Sequence, residues 1–319
     1  MDCGRGGTVP VALVTGAGGF LGSHICLALQ RAGWQVLALT RAVQKSRYPG
    51  IVPIIGDILE PHSLNEAVRH HGCDAIIHFA AVIGGTGQSD DQLMGANAIG
   101  TSNLLKLYDK SRAEVFIYAS SLPCIGFPEV LPVKESHPVK PLSVYHVSKY
   151  IGERLALDFA RKSSRRVLAL RITAPYGPGM ANSVLAIFLK AALAKQALFL
   201  YGSGRRSQNF VWADDVAKAV RAALERGEGL CNCGGPESIT MLDLAVLISR
   251  LTNAPPENIQ FSGQPDPQEQ YRWVVDSSLL SEQLGYAPGT ALAEGCADLR
   301  NFLIAGKPWP GWWTEEFSC

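Results

Sequence analysis

Charge is scarce in this sequence. Only 18% of its residues are Asp, Glu, Lys or Arg, and the formal net charge is +1. Such a chain projects no long-range field, and it has no basic run interleaved with aromatics. Nucleic acid and anionic membrane surfaces are thereby excluded as expected partners, and small molecules are left. Long apolar runs are also missing. No uninterrupted stretch reaches bilayer-spanning length, and Met1–Gly7 lacks the apolar segment of a signal peptide, so a cytoplasmic address is expected. The eight cysteines are scattered, and Cys231-Asn232-Cys233 has neither the two-residue gap nor the second pair of a zinc or redox motif. They read as unpaired, mostly buried thiols, and no metal site is expected. Internal repeats and low-complexity tracts are absent as well.

What the chain has is core. With 47% hydrophobic residues in 319, it can fill one large or two ordinary domains. Val9 to Thr15 is a short apolar run, followed by Thr15-Gly16-Ala17-Gly18-Gly19-Phe20-Leu21-Gly22 and an amphipathic stretch to Ala32. Strand, glycine-rich turn and helix, in that order, bring backbone amides at a helix N-terminus to a pyrophosphate, with Gly16, Gly19 and Gly22 at the three required positions. Further strands are expected at Gln35 to Leu39, Val52 to Ile55, Ala75 to Phe79 and Val115 to Ala119, with helices between them. That alternation predicts an α/β fold: a Rossmann-type, doubly wound parallel sheet with its ligand at the strands' carboxyl ends. Asp57, Ala80, Ala81 and Ser121 fall at that edge. The second strand ends in Thr40-Arg41, with Lys45 and Arg47 close behind, where an acid would take the adenosine ribose hydroxyls. A hydroxyl and cations suit a 2′-phosphate, so NADP is expected, with NAD as the alternative.

One pair carries acid–base chemistry. Tyr145 and Lys149 are four residues apart in an apolar-periodic segment running to about Ala160, and so share a helix face. A neighbouring cation favours a phenolate and brings a phenol toward the working range of a general acid or base. Such a spacing also arises by chance, so its meaning depends on its surroundings.

Those surroundings include His78-x-Ala-Ala81, Asn97-x-x-Gly-Thr, Ala119-Ser-Ser121, Arg171 with Tyr176-Gly-Pro178, and Phe210-Val-x-x-Asp-Asp-Val216. In joint order with the glycine turn and the Tyr145/Lys149 pair, they resemble the extended short-chain dehydrogenase/reductase superfamily, the NAD-dependent epimerase/dehydratase group acting on sugar nucleotides. The resemblance implies that Gly16, Gly19, Phe20, Leu21 and Gly22 cradle the pyrophosphate. It also implies that Thr40, Arg41, Asp57, Ile58, Ala80, Ala81, Asn97 and Pro175 border the cofactor. Ser121 would hydrogen-bond the reacting carbonyl and Tyr145 would be the general acid/base. Lys149 would hold the nicotinamide ribose and depress Tyr145. Arg272 matches an arginine that clamps nucleotide phosphates. A homodimer built on the helices carrying Asn97 and Tyr145 is a further implication.

Departures from the pattern narrow the chemistry. Leu122-Pro123 follow Ser121 where a 4,6-dehydratase carries an Asp-Glu pair. Ala174 stands at a position that is often asparagine, and Gln208 at one that is usually arginine, both of them diphosphate contacts in that group. The expected layout is a dinucleotide domain over 8–173, rejoined by 209–228, and an interleaved smaller C-terminal α/β substrate domain over 174–319, with Gly227 to Pro236 crossing back. The reading that results is an NAD(P)-dependent oxidoreductase acting on a nucleotide-linked sugar, first as a 4-keto-sugar reductase. The alternatives are an NAD-dependent 4-epimerase and, from another class, a non-catalytic dinucleotide sensor. The aromatic stretch from Trp309 to Trp313 is expected to pack the last helix.

Overall fold

A computed structural model describes residues 9–42, 44–69, 71–85, 87–180, 183–306, 309, 311, 313 and 314. The stretch Met1–Gly7, Thr86 of the glycine-rich loop, and Pro310 and Trp312 of the aromatic stretch lie outside these residues.

The first half alternates as its hydrophobic pattern dictates. Strand β1 (Val11–Thr15) leads into helix α1 (Phe20–Arg31), then β2 (Gln35–Thr40), a two-residue β3 (Lys45–Ser46) and β4 (Ile51–Ile55). Helix α2 (Pro61–Val68) and β5 (Ala75–His78) follow, then α3 (Asp90–Met94), which runs through one π-turn at Gly95–Ile99 into α4 (Gly100–Lys110). Next come β6 (Val115–Ser121), the long α5 (Val144–Ser163) and β7 (Arg166–Ile172). The second half has β8 (Ala174–Tyr176), α6 (Val184–Leu193), β9 (Leu198–Leu200), β10 (Ser207–Trp212), α7 (Ala213–Glu225) and β11 (Gly229–Cys233). It closes with β12 (Ser238–Thr240), α8 (Met241–Thr252), β13 (Ile259–Phe261), α9 (Ser278–Leu284), α10 (Leu292–Ile304) and β14 (Trp313–Thr314).

Seven strands form one sheet in the order β11-β7-β6-β5-β1-β2-β4. Every neighbouring pair in it is parallel, as the α/β alternation requires. Parallel strands buried on both faces read as near-continuous apolar runs, and β1, β5 and β7 are of that kind. Two apolar layers cover the faces, one with Ile25, Leu29, Val220 and Leu280, the other with Leu64, Leu104, Tyr108 and Ala156. The strand order reverses between β1 and β5, and the crevice at their carboxyl ends is where ligands bind in such sheets.

A second layer of structure gathers around the three-stranded sheet β12-β10-β8. There α6, α8 and α10 enclose Tyr176, Phe188, Leu244, Ile248 and Leu299. One expectation is corrected here. Gly229–Cys233 is the outermost strand of the large sheet, paired with β7, so the segment that rejoins the sheet reaches Cys233 rather than ending at residue 228. Its sequence, Gly-Leu-Cys-Asn-Cys, has no β-branched or aromatic residue, and pairing with β7 rather than local pattern makes it a strand. The six cysteines among the described residues are free and buried. No helix among those residues is long and apolar enough to cross a membrane.

Candidate active site

The glycine turn is built by contact distance. Gly16 has φ +69°, and a Cβ there would meet Ala80 N at 2.5 Å, while a Cβ on Gly22 would meet Gly16 O at 2.0 Å. Only glycine lets the turn close against both the next strand end and its own helix. Helix α1 then starts with Gly19 as its cap and no side chain bonded to its first amides. Those amides, at the positive end of a twelve-residue helix, suit an anion. Phe20 and Leu21 form the first turn, with Phe20 half-buried and Leu21 packed against the core beneath it. Beside it lies a residue that sequence reasoning missed: Gln44, whose Oε1 is buried without a partner and whose amide sits 3.8 Å from where Gly18 would carry a Cβ. A cradle that rejects side chains, bare helix amides and an orphaned amide oxygen together fit a dinucleotide's phosphates and ribose.

The neighbouring strand ends are fixed by a directed chain of hydrogen bonds. The Thr101 hydroxyl donates to Asn97 O at 2.7 Å, so it accepts from His78 Nε2–H at 3.0 Å. His78 Nδ1 is then the acceptor for the Thr15 hydroxyl at 2.8 Å, and Thr15 Oγ1 accepts from Ala80 N–H at 3.2 Å. Burial, with the Lys149 charge adding to it, lowers His78 to about 3, so the imidazole is neutral. Ala80 and Ala81 are thereby held at the edge.

Several expected cofactor residues turn out to be engaged within the chain. Asn97 sits in the π-turn, where its Oδ1 accepts from Val82 N at 2.9 Å and its Nδ2 donates to Val82 O and Ser148 Oγ, both at 2.9 Å. Both amide protons are spent, so Asn97 braces the strand end and α5 instead of facing a ligand. Thr40 is buried, and its hydroxyl donates to Ala42 O at 2.8 Å, which withdraws it from a 2′-phosphate. Arg41 is exposed on the bend that follows. Asp57 Oδ1 accepts from Leu59 N, and Ile58 is buried against Gly100. Pro175 lies in β8, paired with Val211 of β10.

Ser121 ends β6, and Tyr145 and Lys149 share one face of α5, whose start is capped by Ser143 accepting from His146 N. Burial pushes the Tyr145 phenol up to about 12, the Cys124 thiol adds to this, and a hydrogen bond with Ser121 works against it. The Ser121 hydroxyl thus lies near the Tyr145 phenol. The expected depression of Tyr145 by Lys149 is not found, because Lys149 is buried with its Nζ 4.5 Å above the Tyr118 ring. Burial lowers Lys149 to about 8, while Cys124 and Glu153 raise it. Gly84 of the glycine-rich loop packs on this group, since a Cβ there would meet Tyr145 Cβ at 3.0 Å.

Beyond Ser121 a small cavity is lined by Leu122, Pro123, Thr173, Gln208, Asn209 and Trp273. Its wall carries no formal charge, Thr173 Oγ1 is buried without a partner, and Asn209 is occupied by Gly235 and Glu237. Arg272, next to Trp273, spends its Nη1 on the Glu269 and Tyr271 carbonyls. Arg206 pairs with Asp266 at 2.8 Å, and Arg205 is exposed. Thr173 and Trp273 escaped sequence reasoning because nothing local marks them.

A dinucleotide cradle and a Ser-Tyr-Lys group at one edge of a doubly wound sheet define an enzyme of the nicotinamide-dependent class. The chain belongs to the NAD dependent epimerase/dehydratase family, whose pattern matches residues 12–234. It is 29% identical over 305 residues to a Methanocaldococcus jannaschii protein provisionally named a UDP-glucose 4-epimerase, covering 91% of this chain and 97% of that one. A dTDP-glucose 4,6-dehydratase of Streptomyces niveus is 28% identical over 319 residues, covering 93% and 94%. The crystal structure of the Thermus thermophilus UDP-glucose 4-epimerase in complex with NAD is similar with a TM-score of 0.81 at 26% identity, over 93% of this chain and 100% of that one.

Proposed function

We propose that this chain is an NAD-dependent nucleotide-sugar 4-epimerase in which Tyr145 moves the proton of the reacting sugar hydroxyl. The observation that carries the reading is the placing of Ser121 at the end of β6 near Tyr145 and, one helical turn on, Lys149 of α5, beside a cradle for a dinucleotide. The glycine turn and the N-terminus of α1 hold the pyrophosphate. Lys149, an ammonium below about pH 8, binds the ribose next to the nicotinamide. Ser121 donates to the sugar oxygen and orients it, and Tyr145 takes the hydroxyl proton and later returns it. Bound NAD supplies the hydride acceptor and donor. Arg272 is assigned to the nucleotide phosphates, and Thr173 and Gln208 to neutral polar contacts along the substrate.

Three features favour this over the other chemistries. The Thr40 hydroxyl faces its own backbone, which weakens the case for NADP and with it that for a 4-keto-sugar reductase. Leu122 and Pro123 supply no carboxylate where elimination of water would need one, and Leu122 is buried. Relatives named as epimerases span nearly the whole chain, which favours the epimerase over the reductase, while relatives named as a dehydratase and a decarboxylase span as much. The exposed apolar residues Ile99, Val147 and Leu155 on the π-turn and α5 support a homodimer. The test is the identity of the dinucleotide in purified protein, with titration of NAD, NADH, NADP and NADPH into stripped protein. Co-purifying NAD supports the epimerase, which regenerates its own cofactor. Exchangeable NADPH with no retained NAD overturns it in favour of the reductase.

A further inference from the structure

Glu153 lies four residues beyond Lys149 and eight beyond Tyr145, on the same face of α5, and it is buried. Its carboxylate is fully engaged. Oε2 accepts from Ser120 Oγ at 2.6 Å and from Arg171 Nε at 2.9 Å, and Oε1 accepts from Arg171 Nη2 at 2.7 Å. Arg171 is also buried, and its Nη1 donates to Glu135 O at 3.1 Å. Ser120 and Arg171 face each other across the β6–β7 register, and the residue after Ser120 is Ser121.

A buried ion pair is a poor source of stability, because desolvation offsets most of its attraction. Its location suggests a different use. The groups acting around Lys149 are His78 from β5, Tyr118 from β6, Cys124 from the turn after β6, and Tyr145 and Glu153 on its own helix, while Arg171 from β7 faces Glu153. His78 is neutral, and burial raises Tyr118, Cys124 and Tyr145 so that they keep their protons at neutral pH. Glu153 is thus the carboxylate that opposes the burial of the Lys149 charge.

We propose that Glu153 is a positioning residue for the epimerase reaction, an inference that rests on the reading above: held by Arg171, it keeps Lys149 an ammonium in the interior and, through Ser120, fixes the strand end that presents Ser121. It touches neither substrate nor cofactor. The two arms separate experimentally. NAD affinity is measured by protein fluorescence between about pH 6 and pH 10 in the wild type, in Glu153→Gln and in Glu153→Gln/Arg171→Met, each with its thermal denaturation. In the wild type the affinity falls as Lys149 loses its proton near 8. In Glu153→Gln the midpoint of that fall moves about one pH unit lower, and in the double variant, which loses the Arg171 charge along with the carboxylate, it returns toward the wild-type value. The double variant, in which no ion is left unpaired, recovers thermal stability relative to the single one. Coinciding midpoints in the wild type and Glu153→Gln, or a midpoint in the folded double variant below that of the single one, overturn the Lys149 arm. Ser120→Ala removes one hydrogen bond and no charge. It lowers the rate of bound-NAD reduction by UDP-glucose about tenfold with the midpoint unmoved, and an unchanged rate overturns the Ser121 arm. A wild type that binds no NAD at any pH overturns the epimerase reading itself, an outcome distinct from both.

Discussion

Tyr145→Phe removes one oxygen from a half-buried ring, and the structure sets what that deletion costs. The hydroxyl lies near Ser121, so stability falls by at most about 1 kcal/mol, the worth of one hydrogen bond. In a chain this long that lowers the melting temperature by only a few degrees. The rate behaves differently. With no phenol to carry the proton, turnover falls about 10²- to 10⁴-fold, the usual contribution of a positioned acid or base, or about 3–5 kcal/mol of barrier. In the structure the phenol holds its proton up to about 12, so only about one molecule in 10⁵ carries a phenolate at neutral pH. Its work as a base therefore depends on positive charge arriving beside it, which a bound oxidised nicotinamide would supply. The glycine turn and α1 do not involve Tyr145, and NAD affinity stays within a few-fold of the wild type. The assay is interconversion of UDP-glucose and its 4-epimer followed by NMR, beside NAD titration and thermal denaturation on the same preparation. Turnover within about threefold of the wild type removes Tyr145 from the chemistry. Loss of NAD binding in step with turnover makes its role one of binding instead.

Three further outcomes are expected. Thr40→Val loses a hydrogen bond to Ala42 O: thermal denaturation shows a loss of about 1 kcal/mol, and titration shows an unchanged ratio of NAD to NADP affinity. Asn97→Ala leaves the Val82 N–H and C=O without their partner and costs about 2–4 kcal/mol in denaturant unfolding. Gly22→Ala drives a methyl group into Gly16 O. Titration of the soluble variant shows loss of NAD binding, with destabilisation of about 1–3 kcal/mol from overpacking.

Much of this is legible in the order of residues because the signals are local. The glycine turn between β1 and α1, each strand and helix of the alternating pattern, and the Tyr145/Lys149 spacing occupy no more than about 20 consecutive positions apiece, and each has a period or a turn chemistry of its own. What stays hidden depends on contacts across the chain. Thr40 reads as a ligand until its hydroxyl is seen to face Ala42. Asn97 reads as a cofactor contact until Val82 and Ser148 are found to take its amide. The Glu153–Arg171 pair joins residues 18 apart on a helix and a strand. Gly229–Cys233 reads as a crossing because an edge strand without β-branched or aromatic residues takes its identity from the neighbour it pairs with. Lys149 is expected to act on Tyr145, but its partner is the Tyr118 ring, which only packing reveals.

The π-turn at Gly95–Ile99 lodges one extra residue in what would otherwise be a regular helix. Its wider winding turns five residues about as far as an α-helix turns four, so Leu93 before it and Leu104 and Leu105 after it still face the interior. What the extra residue changes is local: it sets Asn97, inside the turn, where its amide meets Val82 and Ser148. Deleting one residue there would restore the regular pitch and leave both flanking stretches packed, while shifting the position from which Asn97 reaches its partners. Such a deletion would therefore test the brace apart from the helices that carry it.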